Sequence, residues 1–139
     1  MSITSPMMEL IRKHEGLCLE LYTCTAGKST IGFGRNLDNI GITEDEAEYL
    51  LMGDVKRSEE DVLKVFDADL LYSISCNRYS VLVNMMFNLG LTRFSGFKNM
   101  IQAIKDGDFT AAAHEMLDSK WAKQVKQRAY ELANMMERG

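Results

Sequence analysis

The sequence predicts an α+β fold with a small hairpin lobe near the N-terminus, a connecting helix and a larger helical lobe. Three observations carry this. Leu17, Leu19 and Leu21 alternate with Cys18, Glu20 and Tyr22 at strand period, and Thr30-Ile31-Gly32-Phe33 returns after a turn at Ala26-Gly27-Lys28. Thr43-Glu44-Asp45-Glu46 is a capping box, and the apolar residues after it recur at helical spacing. Val81 to Gly90 is apolar nearly all round, as a buried helix is. The expected organisation is one domain over residues 1–139: a β lobe over about 15–42, a connecting helix over about 43–66, and a helical lobe over about 67–139 on which the N-terminal helix packs.

Each element has its local signal. Ser5-Pro6 starts a short helix, with Ser at the N-cap and Pro at the first helical position. Met7, Met8, Leu10 and Ile11 form its apolar face, and Gly16 ends it just after Glu15. The segment 36–41 is loop with room for a short third strand. Ala47, Leu50, Leu51, Val55, Val62, Leu63 and Phe66 mark one long helix, which Gly53 weakens by roughly 1 kcal/mol. In the apolar helix Asn77, Asn84 and Asn88 share one face, expected to point at a cleft. Three further helices are expected over about 95–106, 109–118 and 125–138.

Composition narrows the function. The chain has 139 residues, enough for one compact domain, with 46% hydrophobic and 26% charged residues, so a folded globule is expected. A net charge of −4 argues against nucleic acid as the main partner. No apolar run approaches a membrane span, so no stable membrane insertion is expected. The N-terminus lacks a basic-then-apolar leader pattern, which places the chain in a cytoplasm. Cys18, Cys24 and Cys76 are read as free thiols, with Cys18 and Cys76 as small buried hydrophobes. His14 and Cys18 lack the spacing of a metal site, and no metal or cofactor is expected. His14 and His114 are read as surface residues.

The chemistry concentrates between Glu15 and Arg35. Glu15, Cys24 and Thr30 sit at element edges, where side chains converge on clefts. A partly buried Glu beside an Arg holds the tuned acidity a general acid needs, and Arg128 is a candidate partner. Lys120, Lys123, Lys126 and Arg128 read as a solvated face or a basic strip.

These residues resemble the catalytic signature of the T-even-phage type of lysozyme, glycoside hydrolase family 24. That family's motif is Glu, eight residues, Asp, five residues, Thr. Glu15 and Thr30 match at that spacing, within E-G-L-x-L-x-x-Y and T-I-G-x-G contexts. Residues 43–48, Asn84-Met85-Met86-Phe87-Asn88-Leu89-Gly90, Gly96-Phe97, Ser119-Lys120-Trp121 and Arg128-Ala129 extend the resemblance over nearly the whole chain. It implies a lysozyme-like fold with a cleft between two lobes, and an endolysin-type muramidase. Such an enzyme cuts the β-1,4 bond between N-acetylmuramic acid and N-acetylglucosamine in peptidoglycan. Glu15 is then the proton donor and Thr30 helps hold the attacking water. Gly34, Arg35, Phe87 and Asn88 line the sugar cleft, and Arg128 matches the Arg that pairs with the acid. The resemblance further implies a monomer, held in the host cytoplasm until a holin-type lesion releases it to the wall.

The chain departs from the pattern at its centre. Cys24 stands where the family has Asp. Three readings stay open: a thiolate base with its pKa lowered by Lys28 or Arg35, a nucleophile forming a glycosyl intermediate, or an inert residue in a catalytically silent peptidoglycan-binding module. Arg35 replaces the His of many relatives and brings a fixed donor fork. The segment 36–42 is shorter than in the T-even enzyme, so a smaller hairpin lobe is expected. The acidic balance weakens long-range steering toward an anionic wall.

Overall fold

The computed structural model describes residues 2–139. It is α+β: nine helices and one three-stranded antiparallel sheet among those residues. The chain forms two compact units, 1–49 and 50–139.

The first unit holds α1 (Ser5–Glu15), β1 (Cys18–Thr23), β2 (Ser29–Gly32), β3 (Arg35–Asn36) and the start of α2 (Glu44–Val65). The expected Ser5 cap is displaced by one residue. Thr4 takes the N-cap, with extended backbone and a hydroxyl that accepts from the Met7 N–H at 3.4 Å, so Ser5 and Pro6 both lie inside the helix. In the sheet Thr30 lies opposite Tyr22 on one side and Asn36 on the other, and Ile31 pairs with Arg35. The short third strand is therefore present. Asp38 closes it by accepting from the Ser29 N–H at 2.8 Å, while the Leu37 N–H bonds the Ser29 carbonyl at 2.8 Å. Thr30 is the only buried side chain of this unit among the described residues.

The connecting helix runs as expected, continuing through Gly53. Its capping box forms reciprocally: the Thr43 hydroxyl accepts from the Glu46 N–H at 3.1 Å, and Glu46 Oε1 accepts from the Thr43 N–H at 2.9 Å.

The second unit adds α3 (Ala68–Ser73), α4 (Cys76–Leu89), α5 (Leu91–Ser95), α6 (Lys98–Lys105), α7 (Phe109–Leu117), α8 (Lys120–Val125) and α9 (Gln127–Arg138). Its core gathers Val62, Phe66, Val81, Leu82, Met85, Phe94, Met100, Met116 and Met136, all essentially inaccessible to solvent. Among the described residues five of nine methionines are buried, where their flexible side chains fill the core. Three short helices, α3, α5 and α8, depart from the expected layout. Each has five or six residues, too few for periodicity to register; α3 and α8 are started by side-chain caps, while α5 follows Gly90 with none. Asp67 accepts from the Leu70 N–H at 2.8 Å, and Ser119 from the Ala122 N–H at 3.1 Å. The expected helix from 95 begins instead at Lys98. The one expected from 125 begins at Gln127, just after Lys126, whose φ of 52° is left-handed and separates it from α8.

Arg78 closes the C-terminus of α9. Its Nε donates to the Met136 carbonyl at 2.7 Å and a terminal nitrogen to the Glu137 carbonyl at 2.9 Å, with the guanidinium carbon 3.7 Å from the Phe109 ring centroid. A fixed cation thus meets the negative end of the helix dipole.

Phe94 and Phe66 meet edge to face at 6.3 Å, both fully buried. Phe94→Ala is expected to cost about 3–5 kcal/mol, from lost transfer energy and the cavity left behind. Urea unfolding of the two proteins measures it, and a loss below about 1 kcal/mol would show that the core collapses into the gap.

Candidate active site

The first unit carries Glu15, Cys24, Thr30, Gly34 and Arg35. Glu15 is the last residue of α1, where Gly16 turns the chain toward β1. Its carboxyl lies over Gly34. A Cβ built on Gly34 would fall 2.5 Å from Glu15 Oε2 and 2.8 Å from its Cδ. Gly34 also has φ +77°, a left-handed conformation that suits glycine. Two requirements therefore coincide at one residue: the turn between β2 and β3, and the room for the acid. The same turn is held a second time. Arg12, one helical turn before Glu15, sets its guanidinium carbon 5.9 Å from the Phe33 ring centroid.

Cys24 opens the β1–β2 hairpin loop. Its N–H bonds the Lys28 carbonyl at 2.9 Å and its carbonyl accepts from the Gly27 N–H at 2.8 Å, with Gly27 at φ +78°. This is the three-residue hairpin pattern, a β-turn followed by a left-handed residue. Cys24 occupies the first turn position, where Asp and Asn are favoured because a side-chain acceptor there meets the backbone N–H groups of the turn. The sulfur inherits those donors. The backbone N–H of Lys28, then that of Ala26, then the Thr30 hydroxyl, pull the thiol below its ordinary pKa against a small opposing effect of burial. The sequence expected the charges of Lys28 or Arg35 to do this. The correction is physical: the lowering comes from hydrogen bonding to the charged form, and Lys28 contributes through its main chain. The Thr30 hydroxyl also donates to the Lys28 carbonyl at 2.9 Å, so its proton has two acceptors and the N–H groups are the constant part of the environment.

Arg35 is engaged within its own unit. One terminal nitrogen donates to Glu46 Oε1 at 3.0 Å and to the Gly41 carbonyl at 3.0 Å, and the other donates to Glu46 Oε2 at 2.7 Å. The Arg35 guanidinium and the Thr43 N–H hold the Glu46 carboxyl down to a pKa of about 2. Sequence reasoning read Glu46 only as a helix cap and missed its second bond.

The second unit carries Phe87, Asn88 and Arg128. Arg128 donates from Nε and a terminal nitrogen to Asn84 Oδ1, at 3.0 and 2.7 Å. Both line a hollow of about 390 Å³ with Phe87, Tyr79, Glu59 and Val83. In it Tyr79 donates to Glu59 at 2.9 Å, and burial, then that carboxylate, push its phenol up to about 12. Asn88 accepts from Trp121 Nε1 at 2.7 Å. Asn77 donates to the Gly139 carbonyl at 3.4 Å. The asparagine face expected to point at a cleft thus also stitches α4 to the C-terminal segments.

Two thiol expectations are corrected. Cys76 is exposed at the start of α4, because the first helical turn faces solvent, and Cys18 is half-buried on β1, its thiol directed to the Glu20 carbonyl at 3.2 Å. His14 and His114 are exposed. Among the described residues, no group of three His, Cys, Asp or Glu side chains is placed to hold a metal ion. None of the helices is long and apolar enough to cross a membrane.

Comparison with known proteins assigns the chain to a family. The phage lysozyme family model matches residues 12–138. The chain belongs to the phage lysozyme family. It is similar to an endolysin of Acyrthosiphon pisum secondary endosymbiont phage 1, 31% identical over 126 residues that cover 88% of this chain and 82% of that protein. A probable T4-type lysozyme 2 of Dictyostelium discoideum is 26% identical over 164 residues, covering 99% of this chain and 96% of its own. An endolysin of Bacillus phage B103 is 30% identical over 129 residues, 88% of this chain and 46% of that one. Membership in this family supports a lysozyme-type function for the chain.

Two outcomes test the geometry directly. Gly32 and Gly34 share one turn and nearly one φ, +72° and +77°, but only Gly34 faces Glu15. Replacing either with Ala is expected to cost about 1–3 kcal/mol in backbone strain. Only Gly34→Ala is expected to move the Glu15 carboxyl ¹³C resonance, and equal shifts in both variants would count against the close approach. For Cys24, the lowered pKa means more thiolate at a given pH than in a free thiol. In a Cys18→Ser, Cys76→Ser background, the iodoacetamide reaction is expected to reach half its maximal rate at a lower pH than cysteine in a short peptide. A midpoint at or above the peptide's would contradict the assigned environment.

Proposed function

We propose that this family member is a muramidase of the endolysin type, hydrolysing the β-1,4 bond between N-acetylmuramic acid and N-acetylglucosamine in bacterial peptidoglycan. The observation that carries the mechanism is the hydrogen-bonded setting of Cys24, a thiol with a lowered pKa at the family's carboxylate position. Glu15 acts as general acid and gives its proton to the leaving glycosidic oxygen. Cys24 acts as general base: its thiolate takes a proton from the water whose oxygen bonds the anomeric carbon as the glycosidic bond breaks. The Thr30 hydroxyl steadies the thiolate and helps hold that water. Phe87 and Asn88 offer an aromatic face and an amide to the sugars, with Arg128 fixing the amide of Asn84 beside them. Gly34 makes room for the acid. In its biological setting the enzyme serves lysis of the host, reaching the wall after release through a holin-type lesion, and works as a monomer without a cofactor.

A base needs only a proton acceptor of suitable pKa in the right place, so Asp is expected to replace Cys24 with activity retained. Cys24→Ala is expected to lose about 10²–10⁴-fold in reducing-end release from purified walls, and Glu15→Gln a similar factor, with both proteins still folded by circular dichroism. Mass spectrometry of the digest names the bond cut by its end groups. If Glu15→Ala clears walls at the parental rate, the acid assignment is wrong. Equal activity with Asp, Ser and Ala at position 24 removes the thiol from the mechanism. Wall binding without bond cleavage by the parent points instead to a binding module.

A further inference from the structure

The connection from β3 to α2 is tied more heavily than a surface loop needs. The Glu46 carboxylate accepts from both terminal nitrogens of Arg35 and from the Thr43 N–H, and Arg35 also holds the Gly41 carbonyl. The two side chains keep 34% and 40% of their surface exposed, so the ion pair by itself adds little to stability. What it determines is geometry. Arg35 follows Gly34 directly and pairs with Ile31 across the sheet. On its far side the turn formed by Gly32, Phe33 and Gly34 meets α1 twice, through Arg12 at the Phe33 ring and through the Glu15 carboxyl over Gly34. The turn is therefore gripped between the last turn of α1 and the first turn of α2. The sheet pairs Gly32 with Cys18 and Ile31 with Arg35 at the two ends of the turn, but no apolar core backs it among the described residues of this unit.

We propose that the Arg35–Glu46 pair is a positioning element for Glu15: it fixes the Gly34 backbone, which forms the surface against which the carboxyl rests. The proposal builds on the reading of Glu15 as the general acid. It gives Arg35 a role other than a sugar contact, since both terminal nitrogens of its guanidinium already face protein acceptors. Neither side chain touches the reacting atoms. Their effect passes through one backbone segment, and a displacement of about 1 Å at a reacting group is enough to lower a rate by up to about 10²-fold.

The test uses Glu46→Gln, Arg35→Met and Arg35→Lys in the full chain. Glu46→Gln keeps an acceptor for the Thr43 N–H, so the start of α2 survives while the charge is lost. With soluble peptidoglycan fragments, Glu46→Gln and Arg35→Met are expected to lower kcat by about tenfold to a hundredfold, with KM changed less than about twofold. Arg35→Lys, which keeps one donor, is expected to fall between these and the parent. A second readout needs no turnover: the Glu15 side-chain carboxyl ¹³C resonance, assigned by its disappearance in Glu15→Gln. It is expected to move in Glu46→Gln and Arg35→Met, while the methyl resonances of Met86 and Met116 in the core stay in place. A raised KM with unchanged kcat in Arg35→Met would make Arg35 a sugar contact and overturn the proposal. A Glu15 resonance unmoved in every variant overturns it as well, whatever the rates. If the parent releases no reducing ends but the resonance moves as expected, the positioning stands and the acid reading falls.

Discussion

The N-terminal unit depends on directional polar bonds in place of an apolar core. Among its described residues only Thr30 is buried, and that residue is polar. Fewer than fifty residues have too much surface for their volume to enclose a core of their own. Order comes instead from specific donors and acceptors: Asp38 on the Ser29 N–H, Arg35 on Glu46 and Gly41, and the hairpin bonds around Cys24. Such bonds are weak individually but fix angles as well as distances. They hold the side chains of the unit in register without a core beneath them.

The same reasoning makes a thiol intelligible at Cys24. The first position of a β-turn is lined with N–H groups that an Asp side chain would accept. A cysteine placed there meets those groups whether or not it is a good turn former, and they favour its thiolate. The backbone, which does not change with the side chain, thus supplies the electrostatics at this position. At such a turn position either a thiol or a carboxylate would meet the same main-chain donors.

The C-terminal unit follows the opposite logic. Val81, Leu82, Met85, Phe94 and Met116 exclude water altogether, and the polar residues of α4 are used at its boundary, Asn84 with Arg128 and Asn88 with Trp121. Much of this was legible. The all-round apolar character of α4 announced burial, and the capping box placed the start of α2. The short helices escaped notice because α3, α5 and α8 are too brief to show a period. The start of α9 was placed within two residues, but the left-handed Lys126 that sets it has no sequence signal.

The sequence by itself determined the fold class and the long and the buried helices, and it marked Glu15, Cys24 and Thr30 as candidates. These follow from periodicity, capping and motif spacing, all of which are local along the chain. Only the tertiary structure decided that Glu15 lies against Gly34, that Glu46 grips Arg35, and that main-chain N–H groups and the Thr30 hydroxyl, not neighbouring cations, lower the pKa of the Cys24 thiol. Each of these joins groups through space, where the outcome depends on how a turn or strand aims its side chains. A linear pattern encodes the residues available for such contacts, but the folded backbone chooses among them.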